Sequence, residues 1–245
     1  KSNLETLETL NCDYQLIDTE KKRAEIIQKL LTSKILSLDT ETTGTEPMDA
    51  ELVGMSFSIT ENQAFYVPVP DNREEALKIV NKFRPVFENE NSLKVGQNIK
   101  YDMIVLENYG VQVKGALFDT MIAHYVLQPE LRHGMDYLAE IYLHYQTIHI
   151  DVLIGPKGKN QKNMRDLDPK DIYRYACEDA DVTLKLKNVL EKELKENDAE
   201  RLFYDIEMPL VPVLVNIERN GVLLDTEALK QSSVHFTAQM QRIEQ

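Results

Sequence analysis

Cysteine is scarce in this chain of 245 residues, and tryptophan is absent. The two cysteines, Cys12 and Cys177, lie far apart and show neither a CxxC nor a Cys/His spacing. Small disulfide-held domains and structural zinc modules need such spacings, so the sequence excludes both classes. Cysteine usage of this kind is typical of a reducing, cytosolic setting.

Positive charge is also in short supply. The 28 lysine and arginine residues face 41 aspartate and glutamate residues, which gives a formal net charge of −13 at pH 7. Domains that hold nucleic acid through bulk charge usually carry a basic excess. Any contact with nucleic acid is therefore expected to be local, made by a small group of side chains.

Long apolar runs are missing as well. No stretch approaches the roughly 18 apolar residues that read as a membrane span, and residues 1–11 lack the order of a signal peptide. A soluble, cytoplasmic protein without membrane contact is expected. The chain starts with lysine, and residues 226–245 form a helical pattern with no stop signal. We interpret it as a fragment of a longer protein.

Short β-type segments come early in the chain. Residues 35–41, 52–59 and 64–69 have strand-like composition and are separated by turn chemistry. Spacing this tight predicts an antiparallel meander. Two further short strands are predicted at 93–96 and 115–118.

Helical periodicity is interleaved with these strands and dominates the second half of the chain. The sequence predicts helices over residues 74–87, 99–109, 120–127, 135–142 and 170–196. A Gly/Lys-rich stretch at 155–162 precedes the last of these and is expected to be a mobile loop. The pattern as a whole favours an α/β domain with a mixed sheet.

Asp39 and Glu41 stand at the end of the apolar run 35–38. Side chains alternate faces along a strand, so both carboxylates project from one side and Thr40 from the other. Near a core, such a pair needs a cation or a shared proton. Taken alone, the triplet is also typical of a solvated strand end in an acidic chain.

A further carboxylate, Asp102, falls within an apolar stripe formed by Ile99, Met103 and Leu106. Burial without compensation would cost several kcal/mol, roughly 2–7 on transfer scales. An early-turn aspartate that interacts with the helix N-terminus is an equally good interpretation.

The long predicted helix places another acid in a core position. Asp179 completes its apolar stripe, and Tyr175 stands one turn earlier on the same face. Asp181 is rotated by about 200°, so the periodicity selects Asp179 over Asp181 and Glu178. A salt-bridged structural aspartate beside a packing tyrosine is the alternative.

Three separate segments thus put carboxylates on faces expected to be apolar. Converging anions repel one another, whereas hard divalent cations prefer oxygen ligands, and a two-metal centre needs several carboxylates. The pattern predicts metal-assisted phosphoryl chemistry.

The spacing of these acids is similar to that of a known superfamily. The three motifs of the DEDD exonucleases, in the subclass with tyrosine in the third motif, resemble Asp39-x-Glu41, Asn98-x-x-x-Asp102 and Tyr175-x-x-x-Asp179 in this order. Residues 95–102, 158–161 and 175–184 resemble the proofreading domain of bacterial DNA polymerase I, family A. Residues 206–214 and 217–222 resemble the start of its polymerase domain, so the resemblance spans nearly the whole chain.

The resemblance implies a ribonuclease-H-like α/β fold, with a five-stranded mixed sheet flanked by helices. It implies a 3′–5′ exonuclease domain over residues 1–200 and the truncated start of a polymerase domain over 201–245, formed by C-terminal helices. Residues 201–245 hold no polymerase motif, so synthesis is not expected. The implied setting is a bacterial cytoplasm, at the nucleoid, as a monomer joined to the polymerase domain of the same parent chain.

Roles follow from the resemblance residue by residue. Asp39, Glu41 and Asp179 would hold the metal that activates water, with Asp39 bridging. Asp102 would hold a second metal, mainly through its water shell, and Tyr175 would orient the attacking water. The implied cofactors are two Mg²⁺ ions, with Mn²⁺ able to substitute, and the implied reaction releases 5′-mononucleotides from a DNA 3′ end.

The implied substrate is a single-stranded or frayed DNA 3′ end. Substrate contacts are implied for Gln97, Asn98, Lys100, Tyr101 and Arg132. Backbone phosphates are an expected partner of the basic residues Lys157, Lys159, Lys162 and Arg165, with a solvated loop as the alternative. The five histidines are expected to be structural or surface residues, since none lies four residues before Asp179.

One position departs from the family pattern. Thr45 stands where relatives often carry a larger apolar residue that separates the terminal bases. Base separation is therefore expected to use another side chain or to be weaker. Two other functions stay open: a catalytically silent domain that scaffolds the polymerase or binds single strands, and an RNA-trimming enzyme akin to ribonuclease D.

Overall fold

The computed structural model describes residues 4–158 and 161–244. One mixed sheet forms its centre, with strand order β1-β4-β3-β2-β5-β6. The strands are β1 (Asp13–Leu16), β2 (Ile35–Thr42), β3 (Leu52–Thr60), β4 (Gln63–Pro68), β5 (Leu93–Gly96) and β6 (Leu117–Asp119).

Helices flank this sheet; some lie between its strands in the chain and the others come after the last strand. The α-helices are α1 (Glu20–Leu31), α2 (Arg73–Phe87), α3 (Ile99–Glu107), α4 (Thr120–Leu127), α5 (Met135–Leu143), α6 (Asp151–Ile154), α7 (Pro169–Glu196), α8 (Glu200–Leu202), α9 (Met208–Asn220) and α10 (Thr226–Glu244). A 3₁₀ turn covers Met164–Asp166, and a π-helical segment covers Phe203–Glu207. The predicted α/β class is confirmed.

The strands β2, β3 and β4 form the predicted antiparallel meander. Strand β5 joins β2 in parallel, and β6 joins β5 in parallel, which makes the sheet mixed. The expected number of strands was wrong by one, because β1 pairs in parallel with β4 at the sheet edge. Strand β1 is four residues long and half-exposed, and its partner lies about fifty positions away, so no local pattern marks it.

Side chains on the two faces of β2 contact different parts of the fold. Leu36 and Leu38 are buried in the main hydrophobic cluster together with Phe57. Side chains of opposite parity therefore point to the other face, where α7 packs across β1, β2, β3 and β4. Asp39 and Glu41 are of this parity, so the sheet directs both acids toward α7.

The segment after α7 is part of the same core. Phe203 is fully buried, with its ring 4.8 Å from that of Phe118 between centroids. Val211 and Val215 of α9 are also buried, and Arg219 pairs with Glu107 of α3 at 2.7 Å. Residues 203–219 therefore pack against β6 of the sheet and against α3.

Helix α10 has no buried residue. Its apolar side chains Leu229, Phe236, Met240 and Ile243 are exposed. Within residues 4–158 and 161–244, no helix has the length and apolarity needed to cross a membrane.

Gly54 is a position where the fold needs the absence of a side chain. A Cβ atom there would lie 2.2 Å from the ring of Tyr66, which is itself fully buried. Gly54→Ala is expected to lower the free energy of unfolding by about 1–3 kcal/mol through overpacking. The melting temperature, followed by circular dichroism, should fall by about 2–4 °C for each kcal/mol.

Gly134→Ala is the matched control, since a Cβ atom at Gly134 meets nothing within 4 Å. Equal melting temperatures for the two variants would contradict this account of Gly54.

Candidate active site

The first two acids sit at the end of the central strand. Asp39 lies opposite Ser56 of β3, and Glu41 lies opposite Gly54, with the register shifting just after Glu41. Glu41 is buried, while Asp39 is half-buried. The strand therefore ends with two adjacent same-face carboxylates that are largely withdrawn from water.

Helix α7 brings a third carboxylate to the same place. Asp179 is 5% exposed, and its carboxylate lies with those of Asp39 and Glu41 so that one oxygen of each is within 4.8 Å of the others. Tyr175 stands one turn earlier and interacts with Asp179 through its hydroxyl. We refer to Asp39, Glu41 and Asp179 as the acidic cluster.

Burial dominates the electrostatics of the acidic cluster. Loss of solvation raises the pKa of Asp39 to about 6. Burial, followed by the negative charges of Asp39 and Asp102, raises the pKa of Glu41 well above its usual range. Burial and the neighbouring acids raise the pKa of Asp179 in the same way. Without a cation, these groups resist simultaneous ionisation.

Asp102 approaches from the other side of the strand. It is 3% exposed and accepts a 2.6 Å hydrogen bond from the Thr40 hydroxyl. Burial and the charge of Asp39 raise the pKa of Asp102 well above its usual range. Asp102 is not among the three residues whose oxygens come within 4.8 Å of one another. The structure therefore places it beside the acidic cluster as a separate carboxylate, held by Thr40.

The donors present fit a hard divalent cation. Among the described residues, no lysine, arginine or histidine forms an ion pair with any of these four carboxylates. The Glu41 Oε1 atom is buried without a hydrogen-bond partner. An all-oxygen, negatively charged donor set is what Mg²⁺ and Mn²⁺ prefer. The acidic cluster can therefore bind a metal ion.

A cavity of about 570 Å³ opens beside these acids. Glu41 lies in its wall, and Tyr101 closes one side through hydrogen bonds to Thr42 and to the Gly44 carbonyl. The lining also includes the apolar side chains of Ile150 and Ile154. We refer to this cavity as the cleft.

The predicted substrate residues are only partly gathered at the cleft. Asn98 and Tyr101 line it, with Asn98 in a left-handed conformation (φ 60°) at the start of α3. Gln97 is used internally, because its side-chain amide donates to the His133 carbonyl at 2.7 Å. Lys100 forms an ion pair with Glu218 of α9, and Arg132 is exposed.

The basic residues of the 155–165 region divide in the same manner. Lys157 and Lys162 are exposed, and Lys162 lines the cleft, whereas Lys159 lies outside the described residues. Arg165 does not face solvent as a phosphate contact would. Its guanidinium donates to the carbonyls of Val69 and Leu52, each at 2.6 Å, so it holds the 3₁₀ turn against the sheet.

Sequence reasoning missed Asp119, a fully enclosed carboxylate at the end of β6. It accepts hydrogen bonds from the backbone N–H of Ile99 at 2.7 Å and of Asn98 at 3.2 Å. It also caps α4. Asp119 therefore fixes the turn that presents the second motif, and its place just before the helical pattern at 120–127 was the available signal.

His124 and His133 contact each other on the side of α4. His124 is fully buried, and its Nδ1 lies 2.7 Å from Nδ1 of His133. Burial lowers the pKa of His124 to about 4, so the ring is neutral near pH 7. No histidine belongs to the group of metal-binding candidates found in the described residues.

The mixed sheet with its flanking helices has the ribonuclease-H-like fold that the sequence resemblance implied. The sequence model of the 3′–5′ exonuclease family matches residues 14–195, and the chain belongs to this family. DNA polymerase I of Borreliella burgdorferi is 33% identical over 99% of this chain and 26% of that protein. DNA polymerase I of Pseudomonas aeruginosa is 37% identical over 95% of this chain and 26% of that protein. The chain thus spans about a quarter of the length of these relatives.

Solved structures support the fold. The POL domain of Pol1 from M. smegmatis, in complex with DNA primer-template and dNTP, superposes with a TM-score of 0.73 at 18% identity, over 93% of this chain and 36% of that one. Brucella melitensis NrnC with bound Mg²⁺ superposes with a TM-score of 0.65 at 17% identity, over 86% of this chain and 95% of that one. At these identities, the likeness confirms the fold alone.

Proposed function

We propose that this chain hydrolyses phosphodiester bonds at a DNA 3′ end with the help of two divalent metal ions, releasing 5′-mononucleotides, as the proofreading part of a DNA polymerase I. The observation that carries the proposal is the convergence of Asp39, Glu41 and Asp179 without a cationic partner in the described residues. Mg²⁺, bound in the NrnC structure, is the proposed ion, and Mn²⁺ should substitute.

Each acid has a defined part in this mechanism. Asp39, Glu41 and Asp179 would hold one ion, with Asp39 shared, and Asp102 would hold the second through water. The ions, when bound, would lower the pKa of water and stabilise the leaving 3′ oxygen. Thr40 keeps the Asp102 carboxylate in place through its 2.6 Å hydrogen bond.

Tyr175 has a role that follows from its surroundings. Burial, followed by the charge of Asp179, raises the pKa of the Tyr175 hydroxyl far above its usual value. The phenol therefore keeps its proton at neutral pH and orients the attacking water by hydrogen bonding, rather than by removing a proton from it.

The cleft is the proposed binding site for the 3′ end of the DNA strand. Asn98 and Tyr101 would contact the terminal nucleotide, and Lys162 would meet a backbone phosphate. Gln97, Lys100 and Arg132 are proposed to complete the contacts, with Lys100 first leaving its ion pair with Glu218. The apolar side chains of Ile150 and Ile154 lie where the terminal base would pack in a cleft that has threonine at position 45.

The proposal extends to the parent protein. Residues 1–200 would form the exonuclease domain, and 201–245 would begin the polymerase domain of the same chain. The relatives are DNA polymerases I of bacteria, which supports a place in such a polymerase. The proposed enzyme is cytoplasmic, nucleoid-associated and monomeric, and it acts on single-stranded or frayed ends.

A doubly labelled oligonucleotide tests the activity. A single strand with fluorophores at both ends should release its 3′ label first, as a labelled mononucleotide, in Mg²⁺ or Mn²⁺ and not in EDTA. Asp39→Asn should abolish release. Asp49→Asn changes an exposed acid between β2 and β3 and should leave the release of the 3′ label unchanged.

Two results would contradict the proposal. Absence of both cleavage and Mn²⁺ binding by calorimetry would favour a silent scaffolding domain. Faster shortening of RNA than of DNA of the same sequence would favour an RNA-trimming enzyme.

A further inference from the structure

Two additional carboxylates flank Asp179 on α7, and neither belongs to the acidic cluster. Glu178 and Asp181 are both 0% exposed. A fully buried carboxylate is costly unless its oxygens are satisfied. Their partners therefore decide what these two acids contribute.

Glu178 binds the segment that leads into the cleft wall. One carboxylate oxygen accepts a hydrogen bond from the Tyr145 hydroxyl, and the other accepts one from the Ile148 backbone N–H at 2.6 Å. Two residues further on, Ile150 lines the cleft. Glu178 thus ties α7 to the segment that supplies Ile150 to the lining of the cleft.

Asp181 binds the sheet edge and the β3–β4 turn. Its Oδ2 accepts a hydrogen bond from the Tyr14 hydroxyl of β1 and forms a salt bridge with Lys185 Nζ, each at 2.8 Å. Its Oδ1 accepts a 2.7 Å hydrogen bond from the backbone N–H of Asn62, a turn residue with φ 63°. Two other elements, β1 and the β3–β4 turn, therefore converge on one carboxylate of α7.

Glu178 and Asp181 are placed around α7 so that their contacts can restrict rotation of the helix about its own axis. At 100° per residue, Glu178 and Asp181 lie about 60° apart on one face, while Asp179 is about 100° from the first and 160° from the second. Side-chain tips stand about 5–6 Å from a helix axis, so a rotation of about 20° moves them by roughly 2 Å. Such a shift would separate Asp179 from Asp39 and Glu41.

We propose that Glu178 and Asp181 are positioning residues. They fix the rotation of α7 so that Tyr175 and Asp179 face Asp39 and Glu41. The inference rests on the proposed exonuclease function. Stability alone does not account for these residues, because apolar side chains of similar volume usually stabilise a buried site as well or better. Groups that orient metal-binding residues typically change metal affinity or activity by 10–100-fold when altered.

Conservative variants of the 245-residue chain test the proposal. Asp181→Asn and Glu178→Gln keep the shape and remove the charge, whereas Tyr14→Phe and Tyr145→Phe each remove a single donor and leave the carboxylate bonded elsewhere. In each variant, kcat for 3′ release and affinity for Mn²⁺ should fall by about 10–100-fold. KM should stay within about twofold, since no substrate contact is removed.

Glu191→Gln is the matched control. Glu191 lies on the same helix, pairs with Lys187 at 2.7 Å and accepts a hydrogen bond from a tyrosine hydroxyl, but it stands three turns beyond Asp179. The kcat and Mn²⁺ affinity of the Glu191→Gln variant should match those of the unaltered chain, even if the melting temperature of the variant falls.

The outcomes separate this proposal from the proposed function. An unaltered chain that neither binds Mn²⁺ nor shortens DNA would reject the exonuclease proposal itself. An active unaltered chain, together with Tyr14→Phe and Tyr145→Phe variants that lose only melting temperature, would reject positioning. Should Asp181→Asn fail to fold, the two tyrosine variants still decide the matter.

Discussion

Asp179→Asn is expected to lower the exonuclease rate about a thousandfold and, at the same time, to raise the melting temperature of the metal-free chain. The first effect corresponds to about 4 kcal/mol of lost transition-state stabilisation, because metal ions supply several kcal/mol and the variant loses one charged oxygen ligand. The second effect arises because burial, followed by the charges of Asp39 and Glu41, raises the pKa of Asp179, and a neutral amide avoids both the burial of a charge and the repulsion.

Relief of about 1 kcal/mol would raise the melting temperature by about 2–4 °C for a chain of this size. The two measurements are 3′-label release in Mg²⁺ and circular dichroism at pH 8 in EDTA. Asp171→Asn, at an exposed acid in the first turn of the same helix, should change neither quantity. Loss of activity accompanied by a lower melting temperature would mean that Asp179 is a structural residue.

The metal-free chain is expected to lose stability as the pH rises, and bound metal is expected to reverse this trend. Burial raises the pKa of Asp39 to about 6 from its usual 3.8, so the folded state holds a proton that the unfolded state releases. The stabilising contribution is therefore complete below about pH 4 and is lost as the pH passes through about 6. For Asp39 alone, this amounts to about 3 kcal/mol.

Metal binding requires ionised carboxylates, so Mn²⁺ should stabilise the chain progressively more as the pH rises over the same window. Melting temperatures followed at 222 nm between pH 4 and 8, with Mn²⁺ and with EDTA, measure both trends. Asp39→Asn should flatten both relative to the unaltered chain. A metal-free stability that climbs between pH 4 and 6 by the same amount in both proteins would contradict the pKa of Asp39.

Local pattern was enough to predict the centre of the fold. The segments of the meander have strand-like composition and follow one another closely in the chain, so their pairing follows from spacing alone. Strand β1 was missed because its four residues gain their stability from β4, far away in the chain. Burial of Glu178 and Asp181 was missed for a similar reason, because their tyrosine and backbone donors come from segments 30 to 167 positions away.

The site was predictable to the extent that acids occupy apolar positions. Periodicity placed Asp179 and Tyr175 on one face of α7, and alternation placed Asp39 beside Glu41. Neither pattern fixes how far apart two elements lie, so periodicity and alternation alone did not separate the close acidic cluster from Asp102; only the family resemblance implied that division. Arg165 shows the same limit, because a basic residue in a Lys-rich stretch gives no sign that backbone carbonyls will hold it.

Burial of Phe203 against Phe118 has a practical consequence for anyone who wishes to isolate the nuclease. A polypeptide stopped at position 200 would leave an unfilled space beside the Phe118 ring and remove the partner of Glu107. Cavities of this kind cost several kcal/mol, about 3–5 for an aromatic side chain. A shortened gene should therefore end no earlier than the last turn of α9, at Asn220.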